Sequence, residues 1–324
     1  MKTLKKVNYK KIANILKISK SILPDYDQIM VKGNEVRITD LQTLFIHNTS
    51  NFGLTDARNV NKDIINVMEL NDKNTTLLYD PDSWDVDKTF TDEFEGENNY
   101  VIFAEKDTRH LYNAVPFVCK DELRPVMTGV CCNGGICAID AHKLYFYNNL
   151  SSPVESIFPV NFIKIMELLK ITNCNIEVNN KFAYLKTDEF KLYCKLIDGK
   201  FPNYKVVIPE NNPFNIEVDN KLLSQALKQL LPFVNKATNM IKLSTDNSNL
   251  ILHAENVDYG IEQTIEIPDC VNNLETDFAI GLNLKLLQIC IKPLGSNLSV
   301  DLSAPNRAIV INNNVVLMPL MLNN

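Results

Sequence analysis

The chain lacks the signatures of most catalytic classes. It has no Gly-x-x-x-x-Gly-Lys loop to cradle nucleotide phosphates, no Gly-x-Gly-x-x-Gly and no His-Glu-x-x-His. Gly134-Gly135 falls between two strand-like runs rather than at a helix start, so it reads as a turn. Only four histidines occur, His47, His110, His142 and His253, and they are scattered. No Cys-x-x-Cys exists among the eight cysteines. Cys131, Cys132, Cys137 and His142 could be drawn as a zinc set, but Cys131 and Cys132 are neighbours in a strand-like run and point to opposite faces. Most of the cysteines lie in apolar runs, where free Cys behaves as a small hydrophobe. No metal, no cofactor and no enzymatic activity are expected. No apolar run is long enough to span a membrane, and the apolar residues of Met1–Pro24 are spaced, unlike those of a signal peptide. A cytoplasmic protein with reduced thiols and no membrane partner is expected.

At 324 residues the chain suits two or three domains, and its composition is that of a globular protein. The net charge is −6, but the charge is unevenly placed. Asp80–Glu97 holds eight acids and one lysine, −7 in all, which leaves +1 for the other residues. Met1–Pro24 holds seven lysines and no acid. Acids and lysines set apart in this way allow an acidic exterior and a basic interior surface.

The chain repeats. Tyr9–Leu23 reads as an amphipathic helix ended by Pro24, followed by strands Gln28–Val31 and Glu35–Ile38 around Gly33-Asn34 and then Asp40. The same order returns with Asp107–Cys119 helical, Val126–Cys132 and Ile136–Ile139 flanking Asn133-Gly134-Gly135, and then Asp140. It returns again with Asn220–Phe233, Met240–Ser244 and Leu250–Ala254. Each copy carries a second helix. Ile65–Leu70 and Ile163–Leu168 share four identities in six, and Leu282–Ile291 holds the third place. Three copies of about a hundred residues predict an α+β architecture of three repeated layered domains, 1–100, 101–210 and 211–324. Asp80–Glu97 is expected to be an exposed acidic excursion inside the first.

Four stretches carry a resemblance. Leu196–Pro209 reads Leu-Ile-Asp-Gly-Lys-Phe-Pro-Asn-Tyr-Lys-Val-Val-Ile-Pro. By itself it is a stiff connector, with Pro202 at its middle and Pro209 at its end fixing φ. It resembles the signature of the bacterial sliding clamp, the beta subunit of DNA polymerase III. Arg124-Pro125-Val126-Met127-Thr128-Gly129-Val130 resembles a strand of that family's middle domain, and Asp140-Ala141-His142-Lys143-Leu144 its Asp-Gly-His-Arg-Leu. The last stretch, Val315–Leu322, resembles its apolar tail, with Met321 at an arginine position. The resemblance is strong from about Glu105 to Leu322. Over the first hundred residues it rests on the repeat and on Ile38-Thr39-Asp40-Leu41. A divergent, short member with a trimmed first domain is expected, a phage gene being one source.

The resemblance implies clamp-type domains forming a homodimeric ring that encircles duplex DNA and tethers the replicative polymerase. It implies a hydrophobic groove between the second and third domains that serves polymerase and clamp loader in turn. Carried over by motif, the groove is lined by Met127, Ile139, Ala141, His142, Lys143, Leu144, Pro202, Val206, Val207, Val316, Met318, Pro319, Leu320, Met321 and Leu322. Helices would line the hole and meet phosphates without reading bases, through Lys10, Lys17, Arg109, Lys164, Lys170, Lys228, Lys236, Lys285 and Lys292, with Arg124 just before a strand. Two rivals remain: a clamp-like interaction scaffold that never closes on DNA, and a metal- or thiol-dependent enzyme using Cys131, Cys132, Cys137 and His142.

Overall fold

One turn is built twice, a hundred residues apart. Asp40 Oδ1 accepts the backbone N–H groups of Gln42 at 3.0 Å and Thr43 at 2.7 Å. Asp140 Oδ1 accepts those of His142 and Lys143, both at 2.8 Å. Each aspartate's own N–H donates to the carbonyl three residues on. A short carboxylate that satisfies its own turn is why Asp ends both strands. The computed structural model describes residues 7–16, 29–32, 35–40, 42–48, 78–79, 90, 99–152, 154–246, 248–273 and 278–322.

Two compact units contain these turns. The first comprises Met1–Val115, Asp121–Ile136 and Asn148–Phe201, and the second Pro116–Lys120, Cys137–Tyr147 and Pro202–Asn324. Strands are numbered along the chain. The first unit holds β1 (Ile29–Lys32), β2 (Glu35–Thr39), β3 (Thr43–Asn48), β4 (Leu78–Tyr79), β5 (Asn99–Phe103) and β6 (Gly129–Cys132). It also holds β9 (Ser156–Pro159), β10 (Cys174–Val178), β11 (Phe182–Lys186) and β12 (Phe190–Lys195). Eight of these form one sheet in the order β4-β1-β2-β3-β12-β11-β10-β5, antiparallel except for the short β1–β4 pair. β6 pairs with β9.

The second unit takes most of β7 (Ile136–Ile139) and all of β8 (Lys143–Tyr147). It continues with β13 (Phe214–Asp219), β14 (Met240–Asp246), β15 (Asn249–Asn256), β16 (Ile261–Ile267) and β17 (Val271–Asn272). It ends with β18 (Ala279–Asn283), β19 (Asn297–Leu302), β20 (Ile309–Ile311) and β21 (Val315–Leu317). Here the strands run β17-β13-β19-β20-β21-β8-β7 in one sheet and β16-β15-β14-β18 in another.

Helices cover these sheets, and local chemistry sets their ends. Asn8, Asp219 and Asn283 cap the helices Tyr9–Ile15, Asn220–Leu230 and Leu284–Ile291 by accepting a backbone N–H of the first turn. Before Glu105–Ala114 the Asp107 carboxylate reaches back to the N–H of Ala104 at 2.9 Å. Pro159 starts Val160–Leu168. Buried Leu223, Ala226, Leu227 and Leu230 recur at i, i+3, i+4 and i+7, a single apolar stripe. Each leucine so buried contributes about 1.5–3 kcal/mol. In the first unit Val160–Leu168 packs on both Tyr9–Ile15 and Glu105–Ala114; in the second, Asn220–Leu230 packs on Leu284–Ile291.

Several boundaries differ from the sequence reading. Only Tyr9–Ile15 of the first helix lies among the described residues, with Leu16 as its C-cap; Lys17 and Ile65–Leu70 lie outside them. Val126 and Met127 are not strand: Pro125–Met127 is a 3₁₀ turn, held by Met127 N–H donating to Arg124 O and by Thr128 Oγ1 donating to Pro125 O at 2.7 Å. Leu282 belongs to β18, not to the helix after it. Most of Asp80–Glu97 also lies outside the described residues, but Phe90 within it is not exposed. It is buried against Leu44, Ile46, Phe182 and Tyr193, where its ring adds a large apolar area to the core.

The first helix is tied to β3 by Tyr9 Oη and His47 Nδ1, 2.6 Å apart. Burial holds His47 below its ordinary value of 6.5. The unfolded chain therefore binds a proton below about 6.5 that the folded chain refuses, and stability falls as pH drops through that value. Burial shifts His110 in the same direction. His47→Gln should flatten part of the fall in urea midpoint between about pH 7 and 5; an unchanged slope would show that His47 does not contribute.

Candidate functional site

The segment from Leu196 is fixed to the first unit before the chain leaves it. Leu196 N–H donates to Lys181 O at 2.7 Å and Ile197 N–H to Ile157 O at 2.9 Å. Phe201 is buried, and its N–H donates to Glu155 Oε1 at 3.0 Å. Between them Gly199 has φ +121°, and a Cβ there would lie 2.6 Å from Val126 Cγ1. Both facts require glycine in the Asp-Gly pair. The second unit resumes at Pro202. There the 3₁₀ turn Tyr204–Val207 leaves Val206 75% exposed, with Val207 also exposed.

The C-terminal tail is placed by two backbone anchors. β21 pairs with β8, Val316 opposite Leu144 and Leu317 opposite Lys143. Past the strand, Met318 N–H donates to His142 O at 2.9 Å, and Leu320 N–H to Gly281 O at 2.8 Å. Gly281 permits this crossing, since a Cβ there would sit 2.5 Å from Leu320 O. Gly281 was missed in the sequence; its signal was an isolated glycine inside a strand pattern. The tail so held shows Met318 45% and Met321 73% exposed, with Pro319, Leu320 and Leu322 half-buried.

The structure therefore brings His142, Lys143 and Leu144 against Val316, Leu317 and Met318, and brings Leu320 and Leu322 over Gly281. Ala141 and His142 are exposed, Ile139 and Pro202 half-buried. Two residues read as open lining are not open. Leu144 and Val316 are cross-strand partners sealed inside the sheet. Lys143 is a further correction: its side chain is 5% exposed, with its ammonium on Asp140 Oδ2 and 5.7 Å from the centre of the Phe117 ring. A buried cation survives only when paired, and Asp140 is three residues away. Met127 belongs to the first unit, half-buried in its 3₁₀ turn.

Lys10, Arg109, Lys164, Lys228, Lys236, Lys285 and Lys292 are all exposed. Two of the residues expected on helices are not on them. Lys170 follows the end of Val160–Leu168 at φ +55°, and Lys236 lies in a turn after Asn220–Leu230. Arg124 stands 3.7 Å from Asp121. Of the cysteines drawn as a zinc set, Cys131, Cys132 and Cys137 are buried, and burial pushes the Cys131 thiol up to about 12. It offers no thiolate near neutral pH.

The architecture and its tail define a class, the α+β sliding-clamp fold. A sliding clamp from Pseudomonas aeruginosa superposes with a TM-score of 0.73 at 20% identity, over 97% of this chain and 98% of that one. The DNA polymerase III beta subunit from Borrelia burgdorferi superposes with 0.76 at 16% identity, over 98% and 97%. Residues 205–316 match the family described as DNA polymerase III beta subunit, C-terminal domain. The beta sliding clamp of Haemophilus influenzae is 24% identical over 201 residues, 60% of this chain and 51% of that protein. That of Rickettsia bellii is 26% identical over 145 residues, 42% and 38%. The chain thus aligns in sequence with about half the length, or less, of these curated relatives. The C-terminal third of the chain matches a domain of the DNA polymerase III beta subunit, and the chain as a whole has the fold of the sliding clamps, to which it is similar at low identity. The relatives are bacterial, and nothing in them supports a phage source.

Proposed function

We propose that the chain is a processivity clamp. Two copies close into a ring around duplex DNA, and the exposed tail with its neighbouring valines holds peptides of the polymerase and the clamp loader in turn. The ring has three domains per chain, 1–100, 101–210 and 211–324, works in the cytoplasm, and touches DNA through phosphates alone, without sequence preference.

One observation carries this reading. The third strand of each hairpin set repeats a role. β3 pairs antiparallel with β12, and β8 with β21, each the last strand of the copy that follows in sequence. β16 is the third such strand. Its outer edge has no partner among the described residues. A seven-residue open edge favours pairing with another chain, and a head-to-tail contact that closes makes a ring. The first copy of a second chain is the piece this pattern asks for.

Light scattering across a dilution series at modest salt tests it. A mass near twice 36.8 kDa that persists on dilution is expected. A mass of 36.8 kDa throughout would favour the scaffold that keeps the groove and never closes.

A further inference from the structure

Thiols and thioethers are the groups in this chain most open to a mild oxidant, and burial separates the two. Of the eight cysteines, seven are buried and Cys174 is half-buried. Burial pushes the thiols of Cys131, Cys174 and Cys290 up to about 12, and raises those of Cys194 and Cys270. A peroxide reacts with the thiolate, and these groups hold almost none near neutral pH. A thioether has no proton to lose, so access decides whether it reacts.

Access singles out the tail. Among the described residues Met166 is buried, Met127 and Met240 are half-buried, and Met318 and Met321 are exposed. The two exposed thioethers stand three residues apart, just past β21. Neither side chain holds the tail in place. Met318 N–H donates to His142 O at 2.9 Å, and Leu320 N–H to Gly281 O at 2.8 Å. Chemistry on the two sulfurs therefore changes the surface and leaves both anchors standing.

We infer that Met318 and Met321 form an oxidation-sensitive site, and that hydrogen peroxide turns the apolar lip of the tail polar and weakens peptide docking there. The inference rests on the reading of this tail as a peptide groove and adds its regulation. A sulfur lone pair attacks one peroxide oxygen. The S–O bond forms, the O–O bond breaks, and the departing hydroxide takes the proton left on the transferred oxygen to become water. Each thioether loses two electrons and becomes a sulfoxide, and one peroxide is reduced to water. The sulfoxide oxygen has to shed water before leucine or phenylalanine can dock, and those side chains offer no donor in its place. Methionine sulfoxide reductases remove the oxygen again, so the change is reversible.

The test treats the full chain with hydrogen peroxide and locates the modified residues by peptide mass mapping. Binding of a fluorescein-labelled Gln-Leu-Ala-Leu-Phe peptide is followed by anisotropy, and thermal melting is recorded alongside. Sulfoxide, about 16 Da for each, should appear at Met318 and Met321 before Met166. The treated protein should bind about tenfold or more weakly, with its melting midpoint unchanged. Methionine sulfoxide reductases A and B, supplied with dithiothreitol, should restore binding, and dithiothreitol alone should not. Met318→Leu/Met321→Leu has its own affinity, and treatment should change that value by less than about twofold. If this variant does not fold, the mapping and the reductase rescue decide alone. Oxidation of both residues with affinity unchanged would overturn the inference and leave the groove reading intact. Recovery with dithiothreitol alone, an equal loss in the leucine variant, or a loss that comes with a lower melting midpoint would place the sensitivity elsewhere and overturn it as well. An untreated wild type that does not bind the peptide would overturn the groove reading and the inference with it.

Discussion

Asp140→Ala should lower stability by roughly 3–5 kcal/mol, the cost of leaving a buried charge without its partner. Asp140 does three things at once. Its Oδ1 accepts two backbone N–H groups of the β7–β8 turn, and its Oδ2 holds the Lys143 ammonium. Lys143 cannot escape to water: its backbone is fixed in the β8–β21 ladder opposite Leu317, and its side chain is covered. The Phe117 ring offers the cation a partial substitute only. Removing the carboxylate thus strands the lysine and opens the turn. Asp140→Ala/Lys143→Met should recover a large part of the loss, since a methionine fills the same space without charge. Urea titrations of the two variants check this. A double variant no more stable than Asp140→Ala would show that the turn, not the stranded cation, sets the effect. Asp40 repeats the turn, but its Oδ2 takes the neutral Asn161 side chain at 3.1 Å, so the same change there strands no charge.

That pair also shows how far the sequence could be read. The repeat was legible because its markers are local: Asp40 and Asp140 each satisfy a turn within three residues. The tail was legible as apolar; that Met318 and Met321 stand exposed on it came from the structure. What failed depended on distant neighbours. Lys143 reads as surface until Phe117 and β21 are placed over it. Phe90 reads as part of an acidic loop until Phe182 and Tyr193 arrive from a hundred residues away. Val126 and Met127 have strand propensity, but Pro125 at the start of a 3₁₀ turn and the Thr128 hydroxyl decide otherwise.

Met318→Glu/Met321→Glu should weaken binding of a Gln-Leu-x-Leu-Phe peptide by about 100-fold or more, at roughly 2 kcal/mol for each central anchor. These positions separate binding from folding, and the alternatives do not. A charge at Leu144 would also abolish binding, but Leu144 is 2% exposed and faces Val316 in the ladder, so the loss would come from a broken sheet. Met318 and Met321 are held by backbone anchors on either side, Met318 N–H to His142 O and Leu320 N–H to Gly281 O, and those bonds do not involve their side chains. A glutamate at either site stays solvated and leaves both anchors in place. The unfolding midpoint should therefore be unchanged while titration calorimetry with the peptide shows no measurable heat. A carboxylate on this lip repels a peptide twice over: it removes the flexible thioether surface that accommodates leucine and phenylalanine, and it has to be desolvated for any apolar side chain to dock. Wild-type affinity in the double variant would place the peptide elsewhere. Affinity lost together with the melting midpoint would show that the exposed thioethers support the tail itself.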